Sequence, residues 1–478
     1  MTDLRTNEQV EGFREVFRLS WPASLSMLSN TLIKFVDGWM VSRVSPASFS
    51  AQFYGSIMAF VPESFMLGTL MVVNTYVSQN FGAGRYRRCG LFAWAAIAVA
   101  LLFSAFVVPL AAAGRGIFDL LGHEEAALEA MYFRYMILSI PLTLMIRSTE
   151  QFFWGVHRPR IVLVAAVVGN FYNVGANYVL IFGKLGFPAL GLEGAAIGSV
   201  TAWALQFIIL FAVFLSPAFH ERFGTRLFRR VNSRQCGEIL KLGWPAGVQF
   251  FVDIFGWNFG IALLAGHFGL AHRVATTAVM RYLQLSFMPA VGIGIAATAI
   301  VGKCIGQGRI DLARKRTHIG VIVGALYMGI CGLAFWLFRH GMVDFFLKVS
   351  HITDPEIVAM AGQIVRIGGN LMICAAAFQL FDAIAIVYGG ALRGAGDTLW
   401  PMIITAVLSV TVIFGGGYLM VTFLPSWESI GPWVAASAYV IIVGLAMSFR
   451  FESGVWKRID LLGRKKRIAE PVTLPEVP

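Results

Sequence analysis

Long apolar blocks alternate with short polar gaps along the whole chain. Twelve blocks have the length of a membrane crossing, at roughly 17–41, 53–77, 89–112, 131–152, 161–182, 194–216, 239–264, 278–301, 318–338, 361–390, 398–423 and 431–450. A spanning helix needs about 20 mostly apolar residues, so the pattern predicts an all-α integral membrane protein with twelve transmembrane helices. Composition agrees: 57% of the 478 residues are hydrophobic and 13% are charged, against roughly 45–50% and 25% in an average soluble domain. The mean hydropathy is +0.71. A soluble enzyme with one buried core does not account for this layout.

The chain is written twice. Trp21-Pro22-Ala23 matches Trp244-Pro245-Ala246 at an offset of 223. VSQNFGAGR (77–85) matches VGKCIGQGR (301–309) at 224, and GLEGAAIGS (191–199) matches GPWVAASAY (431–439) more weakly at 240. Each copy holds six segments, so both enter the membrane from the same side. Two six-helix lobes related by a pseudo-twofold axis along the membrane normal are expected, the parallel-repeat arrangement of some transporters. The predicted organisation is an N-terminal segment (1–16), an N-lobe (17–216), a basic linker (217–238) that includes Arg226, Arg229 and Arg230, a C-lobe (239–450) and a tail (451–478) read as disordered.

Charge sets the orientation. The net charge is +12, and most Lys and Arg residues fall in the N-terminal segment, the even-numbered loops and the tail. The odd-numbered loops hold only Arg43, Arg115, Lys184, Arg273, Arg339 and Lys348. The positive-inside rule then places both termini in the cytoplasm and explains the positive charge without a nucleic-acid partner. No cleavable signal peptide is evident at the N-terminus, so the first helix is expected in the mature protein. The five cysteines are scattered without CxxC spacing, which supports neither a disulfide framework nor a zinc site. No GxxxxGK[ST] or HExxH motif occurs, and Gly292-Ile-Gly294 lies inside an apolar block where a dinucleotide loop would not form. Neither ATP hydrolysis nor any other enzyme activity is expected, and no cofactor.

Ionisable groups inside a membrane are costly and mark functional positions by default. In the first segment Asp37 lies roughly 28 Å beyond Arg18, and in the fifth Asn173 and Asn177 lie roughly 20 and 26 Å beyond Arg160, at the helical rise per residue. The two asparagines share a face at i, i+4, and Ser199 enters the sixth segment at a similar depth. These four residues are expected to meet in the outer half of the N-lobe. In the C-lobe, Asp253 and Asp382 lie roughly 18 and 17 Å from Lys241 and Arg393, near mid-membrane. Paired carboxylates there suit a hard cation such as Na+ or a shared proton. Structural alternatives stand beside each reading. Lys34, three residues before Asp37, is placed to form an ion pair with it; Arg281 is placed to neutralise Asp253 or Asp382. Asn173 and Asn177 can serve as interhelical hydrogen-bonding residues. Glu63 beside Pro62 is either a cavity-lining acid or a kink residue, and Glu150 with Arg147 reads as an internal pair.

Several of these features occur in a characteristic order: SWP…D in the first segment, the SQNFGAGR loop, GNFYNVGANYVLIFG followed by GLEGAAIGS, and GGALRGAGDTLWP (389–401). Together, over about residues 14–450, they resemble the multidrug and toxic compound extrusion (MATE) family, in its bacterial NorM-type branch. The resemblance implies two six-helix lobes forming a V around a central cavity, in the inner (plasma) membrane. It implies export of small organic, commonly cationic, compounds by antiport against Na+ or H+, with a monomer as the working unit. Asp37, Asn173, Asn177, Ser199, Asp253 and Asp382 match the family's polar positions and are the expected coupling residues, with Asp253 and Asp382 as the candidate Na+ ligands. Lys34, Glu63, Arg281 and Phe378 are the expected cavity residues; Phe378 stands where a tyrosine can occur, which removes one oxygen ligand. A flippase for lipid-linked or polysaccharide precursors is the alternative.

Overall fold

The computed structural model describes residues 2–123, 125–227, 232–349 and 358–463, and among them no strand occurs. The helices are α1 (Thr2–Ser42), α2 (Pro46–Leu70), α3 (Val72–Gly82), α4 (Tyr86–Val107), α5 (Leu110–Leu120), α6 (Ala126–Gly155), α7 (Pro159–Phe182), α8 (Gly191–Phe214), α9 (Pro217–Phe223), α10 (Ser233–Phe255), α11 (Ala262–Gly266), α12 (Leu270–Gly306), α13 (Ile310–Val349), α14 (Ala361–Ala395), α15 (Leu399–Leu408), α16 (Gly417–Phe423) and α17 (Ile430–Glu452). Among the described residues twelve crossings result, because α2 and α3 form one crossing, π-helical stretches at Gly256–Ile261 and Ser409–Gly416 join α10 to α11 and α15 to α16, and α5 and α9, of 11 and 7 residues, are too short to cross. Ten crossings are long and apolar enough to be recognised as spans by composition. The other two, α1 and α6, carry Lys34 and Asp37, and Arg147 and Glu150, which dilute their apolar character.

Local chemistry sets the helix ends. Ser45 caps α2 by accepting from the Ser48 N–H at 3.0 Å, with Pro46 in the first turn. Asn232 and Gln235 form a reciprocal capping box at the start of α10. The matching loops of the two copies fold identically. After α3 the Arg85 N–H donates to Asn80 O at 2.9 Å through left-handed Gly84 (φ 72), and after α12 the Arg309 N–H donates to Cys304 O at 2.9 Å through Gly308 (φ 78). Glycine adopts that left-handed angle at the least cost, which accounts for the glycine before the arginine in both GAGR and GQGR.

Two boundary expectations are corrected. The N-terminal segment is no separate element but the first turns of α1, held by Glu15, which accepts from Lys303 Nζ at 3.0 Å and Arg316 Nε at 3.1 Å. Residues 451–463 of the expected disordered tail are folded onto the end of the bundle: Trp456 is fully buried, stacks on Phe451 at 4.9 Å and donates from Nε1 to Phe451 O at 2.8 Å. The basic run Arg464–Arg467 and the linker residues Arg229 and Arg230 lie outside the described residues.

Among the described residues two large hydrophobic cores form, one per lobe, and each lobe's first helix begins in the other's core. Val16 and Leu19 of α1 pack with the C-lobe cluster, while Ile239 and Ala246 of α10 pack with the N-lobe cluster. The Trp-Pro motifs lie at these crossings. Gly292 of α12 abuts Ala23 and Ser24, and Gly68 of α2 abuts Ala246 and Gly247; a Cβ on either glycine would lie within 3 Å of backbone atoms. These two contacts are repeat-mates. Around them, N-lobe side chains donate to C-lobe carbonyls: Ser24 to Pro289 (2.7 Å), Thr75 to Arg393 (2.8 Å), Gln79 to Gly394 (3.0 Å) and Tyr76 to Glu238 (3.0 Å). Every one of these seam contacts lies from mid-bundle toward the end that holds both termini.

Candidate functional site

The N-lobe polar residues assemble as a chain of hydrogen bonds. Asn177 Nδ2 donates to Asp37 Oδ1 at 2.7 Å and lies 3.2 Å from Asn173 Oδ1; Asn173 Nδ2 reaches Ser199 Oγ at 3.4 Å. Three of the four are buried, with Asn177 completely so, and Asp37 is half-buried beside them. Helix spacing places Asn173 and Asn177 on one face of α7, and Gly198 of α8 makes room for them: a Cβ there would fall 2.0 Å from Asn177 Oδ1. One turn earlier on the same face, Asn170 donates to Ser29 Oγ of α1 at 2.7 Å.

Lys34 does not pair with Asp37. Its ammonium lies over the Phe60 ring, 5.6 Å from the centroid. A base three residues before an acid is the weaker orientation for a helical ion pair, and helical side chains lean toward the N-terminus, which carries Lys34 away from Asp37. Deeper in the lobe the charges are matched. Arg147 donates to the fully buried Glu150 at 2.7 Å, as the i, i+3 spacing predicts, and Gln206 Nε2 approaches the other oxygen at 3.2 Å. Glu63 accepts from Thr143 Oγ1 at 2.6 Å, a side-chain partner from α6 rather than kink backbone.

In the C-lobe, α10 and α14 bring Asp253 and Asp382 within electrostatic reach of one another. Tyr439 of α17, itself 2% exposed, donates to Asp253 Oδ1 at 2.8 Å. Asp382 is half-buried and has no hydrogen-bond donor among the described residues. Arg281 neutralises neither acid: it makes no ion pair with any carboxylate among the described residues. Asp253 lies one turn before the π-helical stretch Gly256–Ile261, whose Gly256 packs against Ser409 of the second such stretch; π turns recur at functional positions. Phe378 does not line a cleft. It is 1% exposed and packs against Trp257 at 5.7 Å, because a bare phenyl ring gains most inside the C-lobe core. The hydroxyl that reaches Asp253 comes instead from Tyr439, on a different helix. Among the described residues no cluster of three or more His, Cys, Asp or Glu forms a metal site, so a cation there would rest on two carboxylates and neutral oxygens.

Asn170, Thr143, Gln206 and Tyr439 were not singled out by sequence. Asn170 had a signal in its i, i+3 and i, i+7 relation to Asn173 and Asn177; the others meet their partners only through packing between distant helices.

Two six-helix lobes, packed together at one end and each carrying polar residues within its spans, match the architecture of a multi-pass membrane transporter. The MatE family profile matches residues 22–179 and 245–416, and the chain belongs to this family of multidrug efflux transporters, whose members are transporters rather than enzymes. Probable multidrug resistance protein NorM of Mesorhizobium japonicum is 27% identical over 477 residues, covering 96% of this chain and 95% of that protein. The NorM of Thermotoga maritima is 26% identical, covering 95% of each. Among solved structures, a multidrug resistance MATE family transporter of the MOP superfamily in an outward-facing conformation superposes with a TM-score of 0.83 at 16% identity, covering 94% of this chain and 97% of that one. A MOP superfamily transporter from Pyrococcus furiosus, described as having a binding pocket of reverse polarity, gives 0.82 at 16% identity over 94% and 97%.

Proposed function

We propose that this protein exports small organic compounds, organic cations among them, in exchange for Na+ or H+, as a monomer in the plasma (inner) membrane with both termini cytoplasmic. One observation carries the reading. Asp37, Asp253 and Asp382 sit inside the bundle without a basic partner, and Asp382 has no donor among the described residues. An unpartnered acid in a membrane is costly; binding Na+ or a proton removes that cost. The loading of these acids then changes the relative energy of lobe arrangements, and only such differential affinity moves a two-state equilibrium. The seam of small residues and single hydrogen bonds at the termini end supports the other half of the cycle. With the termini cytoplasmic, that seam would close the inner side.

The test is ethidium efflux from proteoliposomes with the Na+ and pH gradients imposed separately. One gradient is expected to drive efflux, and Asp37→Asn and Asp382→Asn each to abolish it. Full efflux with both aspartates neutralised would remove these residues from the coupling mechanism. A second reading, flipping of anionic lipid-linked precursors, is favoured by the two unpaired cations Lys34 and Arg281. Translocation of such a lipid without ethidium efflux would replace the first reading with it.

A further inference from the structure

The helices that follow the two matching turns carry positive charge in both copies, but only one copy answers it. In the C-lobe, Asp311 sits in the first turn of α13, Arg314 pairs with Glu452, and Arg316 pairs with Glu15 at 3.1 Å. In the N-lobe, Tyr86-Arg87-Arg88 stand where the second copy has Ile310-Asp311-Leu312. Helix α4 therefore opens on two arginines, with no acid in its first turn and no side-chain cap, although positive charge at a helix N-terminus is unfavourable. Arg87, Arg88 and Arg222 form no ion pair with a carboxylate among the described residues. These three line one open cleft of about 380 Å³, with Gly84, Arg85 and Tyr86 and no acidic side chain in its wall. The wall is held by packing. The Arg222 guanidinium lies 5.1 Å from the Tyr86 ring, 5.4 Å from Phe223 and 5.8 Å from Phe81. Phe223 lies so close to α4 that a Cβ on Gly90 would fall 2.5 Å from its carbonyl oxygen. Arg85 is engaged elsewhere, donating from Nη1 to Leu462 O at 3.2 Å. The cleft lies where the α4 span begins, on the side of the termini, and Tyr86 is exposed beside it. The positive-inside tendency accounts for arginine on that side. It does not account for three around one cleft in one copy while acids neutralise the other.

We propose that this cleft binds the phosphate of an anionic phospholipid from the leaflet on the termini side, with Arg87, Arg88 and Arg222 as its ligands. Guanidinium groups donate to phosphate oxygens in strong, charge-assisted hydrogen bonds, and the rings hold Arg222 in place without neutralising its charge. The volume admits a small headgroup, since small-molecule sites begin near roughly 300 Å³. The bilayer is the source, because the arginines open a membrane span at the level of the lipid phosphates, where basic pockets recognise anionic headgroups. A phosphate there relieves the mutual repulsion of three like charges. It also supplies the negative charge that the start of α4 lacks. Asp311, Glu15 and Glu452 do the same for α13 in the second copy, so the equivalent turn at Arg309 has no need of a lipid.

Native mass spectrometry of the purified, delipidated full-length protein tests this, with dioleoyl phosphatidylglycerol and dioleoyl phosphatidylcholine added in equal amounts. The two lipids share their tails and a phosphate and differ in net charge. The first lipid retained is expected to be phosphatidylglycerol by about tenfold. The preference should weaken in Arg87→Gln, Arg88→Gln and Arg222→Gln singly and approach one in the triple variant. Retention of phosphatidylcholine should be unchanged there, which shows that the variant is folded. The triple lysine variant, which keeps the charge, should retain the preference, and so should Arg309→Gln in the second copy. Equal retention of the two lipids by the unaltered protein, or a preference that survives in the triple glutamine variant, overturns the inference. So does equal loss in the lysine and glutamine variants, because charge would then not be what holds the lipid. Displacement of phosphatidylglycerol by millimolar inorganic phosphate overturns the lipid assignment and makes the cleft a site for dissolved phosphate.

Discussion

At the scale of single residues, the N-lobe site depends on Asn177 reaching Asp37, and Gly198 is what permits it. A methyl group at position 198 would lie 2.0 Å from Asn177 Oδ1, a distance no relaxed packing allows, so Gly198→Ala is expected to push Asn177 off Asp37. Ion-driven efflux should fall about tenfold or more, since a charge-assisted hydrogen bond contributes about 1.5–3 kcal/mol, while the variant still inserts and purifies. Normal efflux by Gly198→Ala would show that the asparagine does not tune the acid. Tyr439→Phe is the C-lobe counterpart. It removes the hydroxyl that donates to Asp253 and leaves the ring in place, so the concentration of Na+ or H+ giving half-maximal exchange should shift by about tenfold, with the melting temperature little changed. The reach of the sequence at this scale follows from geometry. Asp37, Asn173, Asn177 and Ser199 were legible together because helical rise gives depth and i, i+4 spacing gives a common face. Tyr439 was not, because its distance from Asp253 along the chain says nothing about which helices touch. Spacing leaves an ion pair between Lys34 and Asp37 open as an alternative, and side-chain direction decides against it.

At the scale of elements, the turn between α6 and α7 forms a titrating contact outside the membrane spans. His157 there has a left-handed backbone (φ 61), where the second copy places Gly396 (φ 92). Its Nε2 lies 3.2 Å from Ala299 O of the opposite lobe and its ring stacks on Phe81 at 5.6 Å. Burial, reinforced by the Lys303 charge, pushes the imidazole from the usual 6.5 down to about 4. Folded His157 is therefore neutral where an unfolded chain already binds a proton. Its contribution is complete above 6.5 and is lost as the pH falls toward about 4. Glu15 acts in the same direction at lower pH: burial raises its carboxyl, but Lys303 and Arg316 outweigh that and hold it below its ordinary 4.5. The melting temperature of the purified protein should fall between about pH 7 and about pH 5. His157→Asn should flatten that limb, because asparagine tolerates the left-handed backbone and does not titrate; an unchanged slope would place the acid sensitivity elsewhere. Sequence marked this loop only by its Gly-containing counterpart, GAGD. The histidine's burial depends on α12 of the other lobe, which no local pattern shows.

At the scale of the whole molecule, the repeated Trp-Pro-Ala motif marks more than an internal repeat. In the structure it is where each lobe's first helix crosses into the other, with Ala23-Ser24 against Gly292 and Ala246-Gly247 against Gly68. The twelve spans and the twofold repeat were legible because membrane length and internal similarity are properties of the chain itself. The seam was not, because it joins residues more than one hundred and fifty positions apart. Its chemistry suits reversible closure: small residues let backbones approach, and each side-chain to carbonyl bond contributes only about 1 kcal/mol. A bulky residue at either glycine should hold the seam open while leaving both lobe cores intact. Cys304, 2% exposed near the Glu15 contact on α12, is a natural reporter once the other four cysteines are replaced by alanine. Labelling of Cys304 by a membrane-impermeant maleimide, applied from the side of the termini, should be slow in that background. With Gly292→Leu or Gly68→Leu added, labelling should accelerate about tenfold or more, which a shift of about 1.4 kcal/mol in the opening equilibrium suffices to produce, and ethidium efflux should be lost. Because the two glycines are repeat-mates, the two variants should behave alike. Acceleration by only one would mean that the lobes hinge about a single crossing instead of rocking symmetrically about both.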